Sequence, residues 1–173
     1  CDKKNYELMK KYYLMAIEKG NVKAMYNLGI YYCDEKNYEL MKKYYLMAIE
    51  KGNDEAMYNL GHYYKNIEKN NELMKKYYLM AIEKGNDKAM NNLGNYYYYE
   101  KNYELMKKYY LMAIEKGNDE AMNNLCCYYY DEKNYELMKK YYLMAIEKGN
   151  VNAMYTLGIY YCDEKNYELM KKY

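Results

Sequence analysis

One phrase constrains this chain more than anything else in it. NYELMKKYYLMAIEKGN occupies Asn37–Asn53 and returns at Asn5–Asn21, Asn102–Asn118 and Asn134–Asn150. The copy at Asn70–Asn86 differs at one position, Asn71 standing for Tyr, and Asn166–Tyr173 repeats the opening. The phrase predicts a helix over Tyr38–Lys51, which holds no Pro, no Gly and a single β-branched residue, Ile49. Asn37 is placed to cap its start, Glu39 suits the electropositive first turn, and Gly52 supplies a left-handed stop. At 100° per residue, Leu40, Met41, Tyr44, Tyr45, Met47, Ala48 and Ile49 cover more than half of the circumference. A lone helix of about 14 residues is marginal in water, and an apolar arc this wide needs neighbours on two sides. The helix must be stacked.

The closing glycines, Gly20, Gly52, Gly85, Gly117 and Gly149, are 32, 33, 32 and 32 residues apart. A period of that size, with two helices per repeat, predicts an all-α solenoid of antiparallel helix pairs. Whole repeats begin at Asn21, Asn53, Asn86 and Asn118, and a further one begins at Asn150. The odd residue falls in 66–70, between two helices, where a loop absorbs it. Residues 1–173 read as one continuous array without a linker. Both ends fall at the same point of the motif, which suggests a piece of a longer array.

The first helix of each repeat varies where the second does not. Ala24, Met25, Leu28, Tyr31 and Tyr32 recur in every copy, and Gly29 recurs except where Cys126 replaces it. The changing positions, those of Lys23, Tyr26, Ile30, Cys33 and Asp34, fall on the side facing away from the apolar stripe. Asn27 lies at the border of that side and returns as Asn59, Asn92 and Asn124, then as Thr156. The second helix also has an exposed face but hardly drifts, so variation confined to the first helix suggests a lining surface fitted to a partner. Tyr26 and Tyr58 give way to Asn91 and Asn123, then to Tyr155. His62, Asn95, Cys127 and Ile159 take the place of Ile30, and Tyr98 stands beside them. Tyrosines and amides together suit protein recognition.

AMYNLGIYY followed by NYELMKKYYLMAIEKGN resembles the Sel1-like repeat, a relative of the tetratricopeptide repeat. Ala24, Leu28–Gly29, Tyr32, Tyr45, Ala48 and the closing EKGN carry the likeness over essentially the whole chain. The Lys, Asn, Tyr and Met richness is similar to that of Sel1-like proteins of large DNA viruses of amoebae. Two features depart from the family pattern: the inter-helix loop is shortened, and Ile49 stands where a second Ala is usual. The resemblance implies a right-handed superhelix acting as an adaptor or scaffold, its first helices lining a concave groove. It also implies that Asn27, Asn59, Asn92 and Asn124 form a ladder gripping the backbone of an extended peptide. A side-chain amide has both donor and acceptor for that task, and equally for bonds to neighbouring helices.

Other classes find less support. The 27 basic residues are all Lys and balance 25 acidic ones, so no electrostatic case for nucleic acid arises. Tyr98, Tyr99 and Tyr130 offer stacking faces to single-stranded RNA, but no Arg accompanies them. His62 is the only histidine and has no paired base or nucleophile, so neither catalysis nor a cofactor is expected. Cys126–Cys127 lacks the spacing of a metal site. Five cysteines without a CxxC point to a reducing, cytoplasmic setting (host cytoplasm or virion for a viral protein). No run of apolar residues is long enough to span a membrane. The rival to a groove is self-association through Leu14, Leu46, Leu79, Leu111 and Leu143, which sit among charges on the second helices.

Overall fold

The computed structural model describes residues 3–163, and side chains over 5–162. Among these are ten α-helices and no strand: α1 (Lys3–Glu18), α2 (Val22–Asp34), α3 (Tyr38–Glu50), α4 (Asp54–Asn66), α5 (Asn71–Glu83), α6 (Asp87–Tyr99), α7 (Tyr103–Glu115), α8 (Asp119–Asp131), α9 (Tyr135–Glu147) and α10 (Val151–Asp163). The truncated copy at 166–173 and Cys1 lie outside the described residues. The architecture is an all-α solenoid of helix pairs, as the period predicts. The chain divides into two compact units, Cys1–Ala89 and Met90–Tyr173, and the border falls inside α6.

Asparagine caps start the helices as expected. Asn37 Oδ1 accepts from the Leu40 amide at 3.2 Å and Asn53 Oδ1 from that of Ala56 at 2.7 Å. Such a cap contributes about 1 kcal/mol by satisfying one of the orphan amides of the first turn. The two kinds of turn then close by the same device with different residues. After α3, Gly52 sits at φ 82° and the Asn53 amide reaches back to the Ala48 carbonyl at 3.1 Å. After α2 the left-handed position is held by Lys36 at φ 57°, and the Asn37 amide bonds Tyr32 O at 2.9 Å. Lys69, Lys101 and Lys133 repeat that conformation. Both are Schellman closures, and the lysine version carries a steric cost that glycine avoids.

The extra residue lengthens the turn after α4, and it is tied down in the first unit. Glu68 accepts from the Tyr63 hydroxyl at 2.7 Å and from Lys42 Nζ at 3.3 Å. The Tyr38 and Tyr63 rings meet below it at 5.1 Å. Those bonds hold the Glu68 carboxyl below its ordinary pKa, the Tyr63 hydroxyl first.

Each hairpin core is built alike. Ala24, Met25 and Leu28 of α2 are buried with Met41, Tyr45 and Ala48 of α3. A Cβ at Gly29 would lie 2.5 Å from the Tyr45 ring, so the helices meet closer there than any side chain permits. One aromatic pair recurs in parallel stacking: Tyr32–Tyr44, Tyr64–Tyr77, Tyr97–Tyr109 and Tyr129–Tyr141 have centroids 5.5–5.6 Å apart and planes within 7°. Burying each such side chain stabilises the fold by roughly 1.5–3 kcal/mol, an upper estimate.

Candidate binding surface

The division of faces in the first helices matches the repeat pattern. Met25 and Leu28 are buried, whereas Tyr26, Asn27 and Ile30 are half-exposed and Lys23 is exposed. The core positions accept no change without a cavity or an overpacked contact, so drift collects on the opposite side.

In the first unit this surface is a hydrogen-bonded tyrosine–amide lattice. Asn59 Nδ2 donates to the Tyr26 hydroxyl at 3.2 Å, across one repeat, and to that of Tyr45 at 3.4 Å. Asn27 Nδ2 donates to the Tyr13 hydroxyl at 3.4 Å. Burial raises the pKa of both Tyr26 and Tyr45, so their hydroxyls stay protonated. Tyr58 lies beside Tyr78 and His62, with centroids 5.9 and 6.2 Å away. His62 is exposed at its edge and Asn66 Nδ2 lies 3.0 Å from its Nε2. Desolvation of the ring, helped by the charge of Lys65, lowers the His62 pKa and keeps the imidazole neutral at pH 7.

In the second unit the lattice is made of amides. Asn124 Nδ2 donates to Asn91 Oδ1 at 3.1 Å and to Asn95 Oδ1 at 3.0 Å, and the Tyr110 hydroxyl donates to Asn95 Oδ1 at 2.6 Å. Asn91 is a correction to the sequence reading: at 1% exposure it lies beneath the surface as the acceptor that holds Asn124, not as a groove contact. Asn92, Asn95, Asn123 and Asn124 are half-buried, and Tyr98 and Cys127 are exposed. Tyr155 and Ile159 stand out at 71% and 45% exposure, while Thr156 turns its hydroxyl onto the Asn152 carbonyl at 2.9 Å.

These bonds change what an asparagine ladder could offer. Both amide hydrogens of Asn59 and of Asn124 are engaged within the fold, which leaves the Oδ1 acceptor for an incoming peptide N–H. At these two positions the surface presents an amide oxygen and no free amide hydrogen.

Two cavities open between repeats of the second unit at equivalent places. The first, of about 180 Å³, is lined by Asn95, Tyr98, Tyr110, Asn124 and Asp131 among others. The second, of about 270 Å³, has Cys127, Tyr130, Tyr142 and Thr156 at the corresponding positions, with Tyr135, Ile159 and Tyr160. Tyr103 and Tyr135, the opening residues of the constant helices, join these walls through Tyr98 at 6.4 Å and Tyr130 at 5.7 Å. The sequence reading placed neither ring in the surface. The signal was a tyrosine recurring outside the apolar stripe in all but one copy, Asn71 being the exception.

On the second helices, Leu14, Leu46 and Leu79 are 43%, 41% and 42% exposed, whereas Leu111 and Leu143 are half-buried. Among the described residues no cluster of three metal-ligating side chains occurs, and no helix is long and apolar enough to cross a membrane.

Paired helices carrying a tyrosine–amide surface define a helical-repeat class of protein. No family model and no curated protein matches the sequence. Solved structures do. Over 88% of its length this chain matches a Sel1 repeat protein from Oxalobacter formigenes at a TM-score of 0.72 and 26% identity, covering 68% of that protein. It also matches, with TM-score 0.70 and 21% identity over 88% of its length, a protective antigen of uropathogenic Escherichia coli strains displaying an SLR fold. The chain spans 36% of that antigen's length. The fold is therefore that of Sel1-like repeats, which generally serve as protein-interaction scaffolds. Both neighbours are bacterial, and they lend no support to the likeness with viral proteins.

Proposed function

We propose that this chain is a non-enzymatic adaptor of the Sel1-like kind, binding a peptide or protein on the exposed face of its first helices. One observation carries the reading. Positions that vary between repeats (Tyr26, Tyr58, Asn123 and Tyr155 at one of them) are solvent-accessible, with the buried Asn91 as the exception, while the frame beneath them is constant and buried. Variation on a fixed scaffold changes what is bound without changing what is folded. The surface itself, rigid aromatic area interleaved with amide acceptors, fits recognition of a polypeptide.

Selection of peptides from a random displayed library on the immobilised chain tests this. Selected peptides should bind Tyr58→Ala/His62→Ala or Tyr155→Ala at least tenfold more weakly, with thermal unfolding of the variants little changed. Equal affinity for wild type and all groove variants would refute the reading.

A second reading draws on the leucine row of the first unit. Three leucines more than two-fifths exposed at the same repeat position make an apolar stripe that a second copy could cover. Sedimentation of wild type against Leu46→Lys/Leu79→Lys decides it: a concentration-dependent dimer lost in the variant supports self-association, and monomers throughout remove it.

A further inference from the structure

We infer that the larger of the two equivalent cavities just described, the one between α8, α9 and α10, is a receptor for an arginine side chain of the bound polypeptide, stacked on tyrosine and paired with Asp131. The inference rests on the adaptor reading and assigns partner chemistry to one place on its surface.

Among the described residues the lining of this cavity is unusual for a chain with 27 lysines, since it includes no lysine and its one charged side chain is Asp131. Four tyrosines surround the space, Tyr130, Tyr135, Tyr142 and Tyr160. Tyr130 and Tyr135 meet edge to face, centroids 5.7 Å apart with planes at 64°, and Tyr135 and Tyr160 lie 6.0 Å apart at 35°. Rings turned to one another at such angles present π faces in more than one direction. A cation set between them is attracted by each ring quadrupole.

Asp131 supplies the charge. It is exposed, it is the last residue of α8, and no ion pair engages it among the described residues. The last turn of α8 holds no basic residue, so the carboxylate adds to the negative end of the helix dipole instead of offsetting it. An exposed carboxylate at a helix C-terminus above an aromatic wall is an electrostatic mismatch that an external cation relieves.

The choice of cation follows from shape and hydration. A guanidinium is planar, stacks on a tyrosine face and offers a fork that matches a carboxylate. An ammonium is compact and strongly hydrated, and gives up more water on entering such a cavity. A purely apolar side chain would fill the space but would desolvate Asp131 without replacing its water. The neighbouring, smaller cavity differs in the way the inference needs. Asp131 lines it too, but Asn95 and Asn124 form part of its wall and bond one another. In the larger cavity Cys127 and Thr156 stand at those positions and leave room.

The test titrates N-acetylarginine amide, N-acetylcitrulline amide and N-acetylleucine amide into ¹⁵N-labelled chain, following backbone shifts around Tyr130 and Tyr135. The arginine derivative should give saturable shifts there, with affinity about tenfold above that of citrulline, its neutral isostere, and of leucine. Asp131→Asn and Tyr130→Ala should each weaken it about tenfold, and both residues are exposed enough for the variants to fold. Ile159→Lys, placing a cation of the chain's own at the cavity, should abolish it, whereas Tyr58→Ala in the other unit should leave it unchanged. Equal binding of citrulline or leucine, indifference to Asp131→Asn, or no saturable shift overturns the inference. In those cases library-selected peptides that still lose affinity for Tyr58→Ala leave the adaptor reading intact. Arginine binding at Asp131, with no selected peptide sensitive to any groove variant, separates the two the other way.

Discussion

Hairpin α6–α7 and hairpin α8–α9 share a frame and differ at four positions, Lys88/Glu120, Gly94/Cys126, Asn95/Cys127 and Tyr99/Asp131, of which the middle two meet the buried tyrosine of the second helix. In the first, Gly94 lies against Tyr110: a Cβ there would sit 2.5 Å from the ring, and the Tyr110 hydroxyl is fixed by Asn95 at 2.6 Å. In the second, Cys126 stands in the glycine's place, fully buried, with its thiol toward the Met138 carbonyl at 3.8 Å. Tyr142 there has Cys126 and Thr156 as hydrogen-bonding neighbours in place of an asparagine pair. A tyrosine held at its far end by a short bond to an amide yields less readily to a new side chain beneath it. In these two hairpins the glycine, the amide lattice and the cavity volume differ together, whereas in the first unit Gly61 packs against Tyr78, a ring whose buried hydroxyl has no partner.

The largest effect comes from forcing one hairpin's residue into the other. Gly94→Cys should destabilise the fold by about 2 kcal/mol through overpacking against Tyr110. Adding Asn95→Cys and Asn124→Thr should recover at least half of that, because the ring is then released. Chemical denaturation of the single and triple variants measures both, and a triple variant less stable than the single one breaks the coupling.

Removing the hydroxyls sharpens the contrast at smaller scale. Tyr110→Phe deletes a short, part-buried bond and should cost about 1 kcal/mol, while Tyr142→Phe should cost less than about 0.5 kcal/mol. Equal costs in denaturant titration would show that the amide lattice does not hold its tyrosine more firmly.

The smallest effect is read by thiol chemistry. Burial pushes the Cys126 thiol up to about 12 and also raises that of Cys127, which Asp131 pushes further. Both are protonated near neutral pH. A thiol-specific reagent should label the exposed Cys127 slowly at pH 8 and faster as pH rises, and should leave Cys126 untouched until the chain unfolds. Since Cys126 ionises more readily unfolded than folded, its burial favours the fold below about pH 9, and that advantage is lost as pH climbs toward 12. Rapid labelling of Cys126 in folded protein would mean that it does not fill the glycine's position.

Much of the fold was legible because it is periodic. Asn caps, glycine stops, the buried Met25–Leu28 face and the close approach at Gly29 all follow from spacing, since helix geometry maps sequence distance onto angle. The lysine-closed turns were not legible, because Lys36 has no intrinsic preference for a left-handed backbone; the geometry of the Schellman closure imposes it. The surface divided in the same manner. Tyr26, Tyr58 and Tyr155 could be placed by angle alone. The wheel put Asn91 outward as well, but a bond from the next repeat's Asn124 lies above it.

The sequence by itself determined that the chain is a stack of helix pairs with one face constant and one variable from repeat to repeat, because burial demands repeat at the period of the helix. Only the tertiary structure decided which asparagines have their hydrogens occupied, where a cavity stays open, and that Asp131 borders an aromatic wall. Those outcomes depend on distances between side chains about 30 residues apart, and a one-dimensional pattern does not carry them.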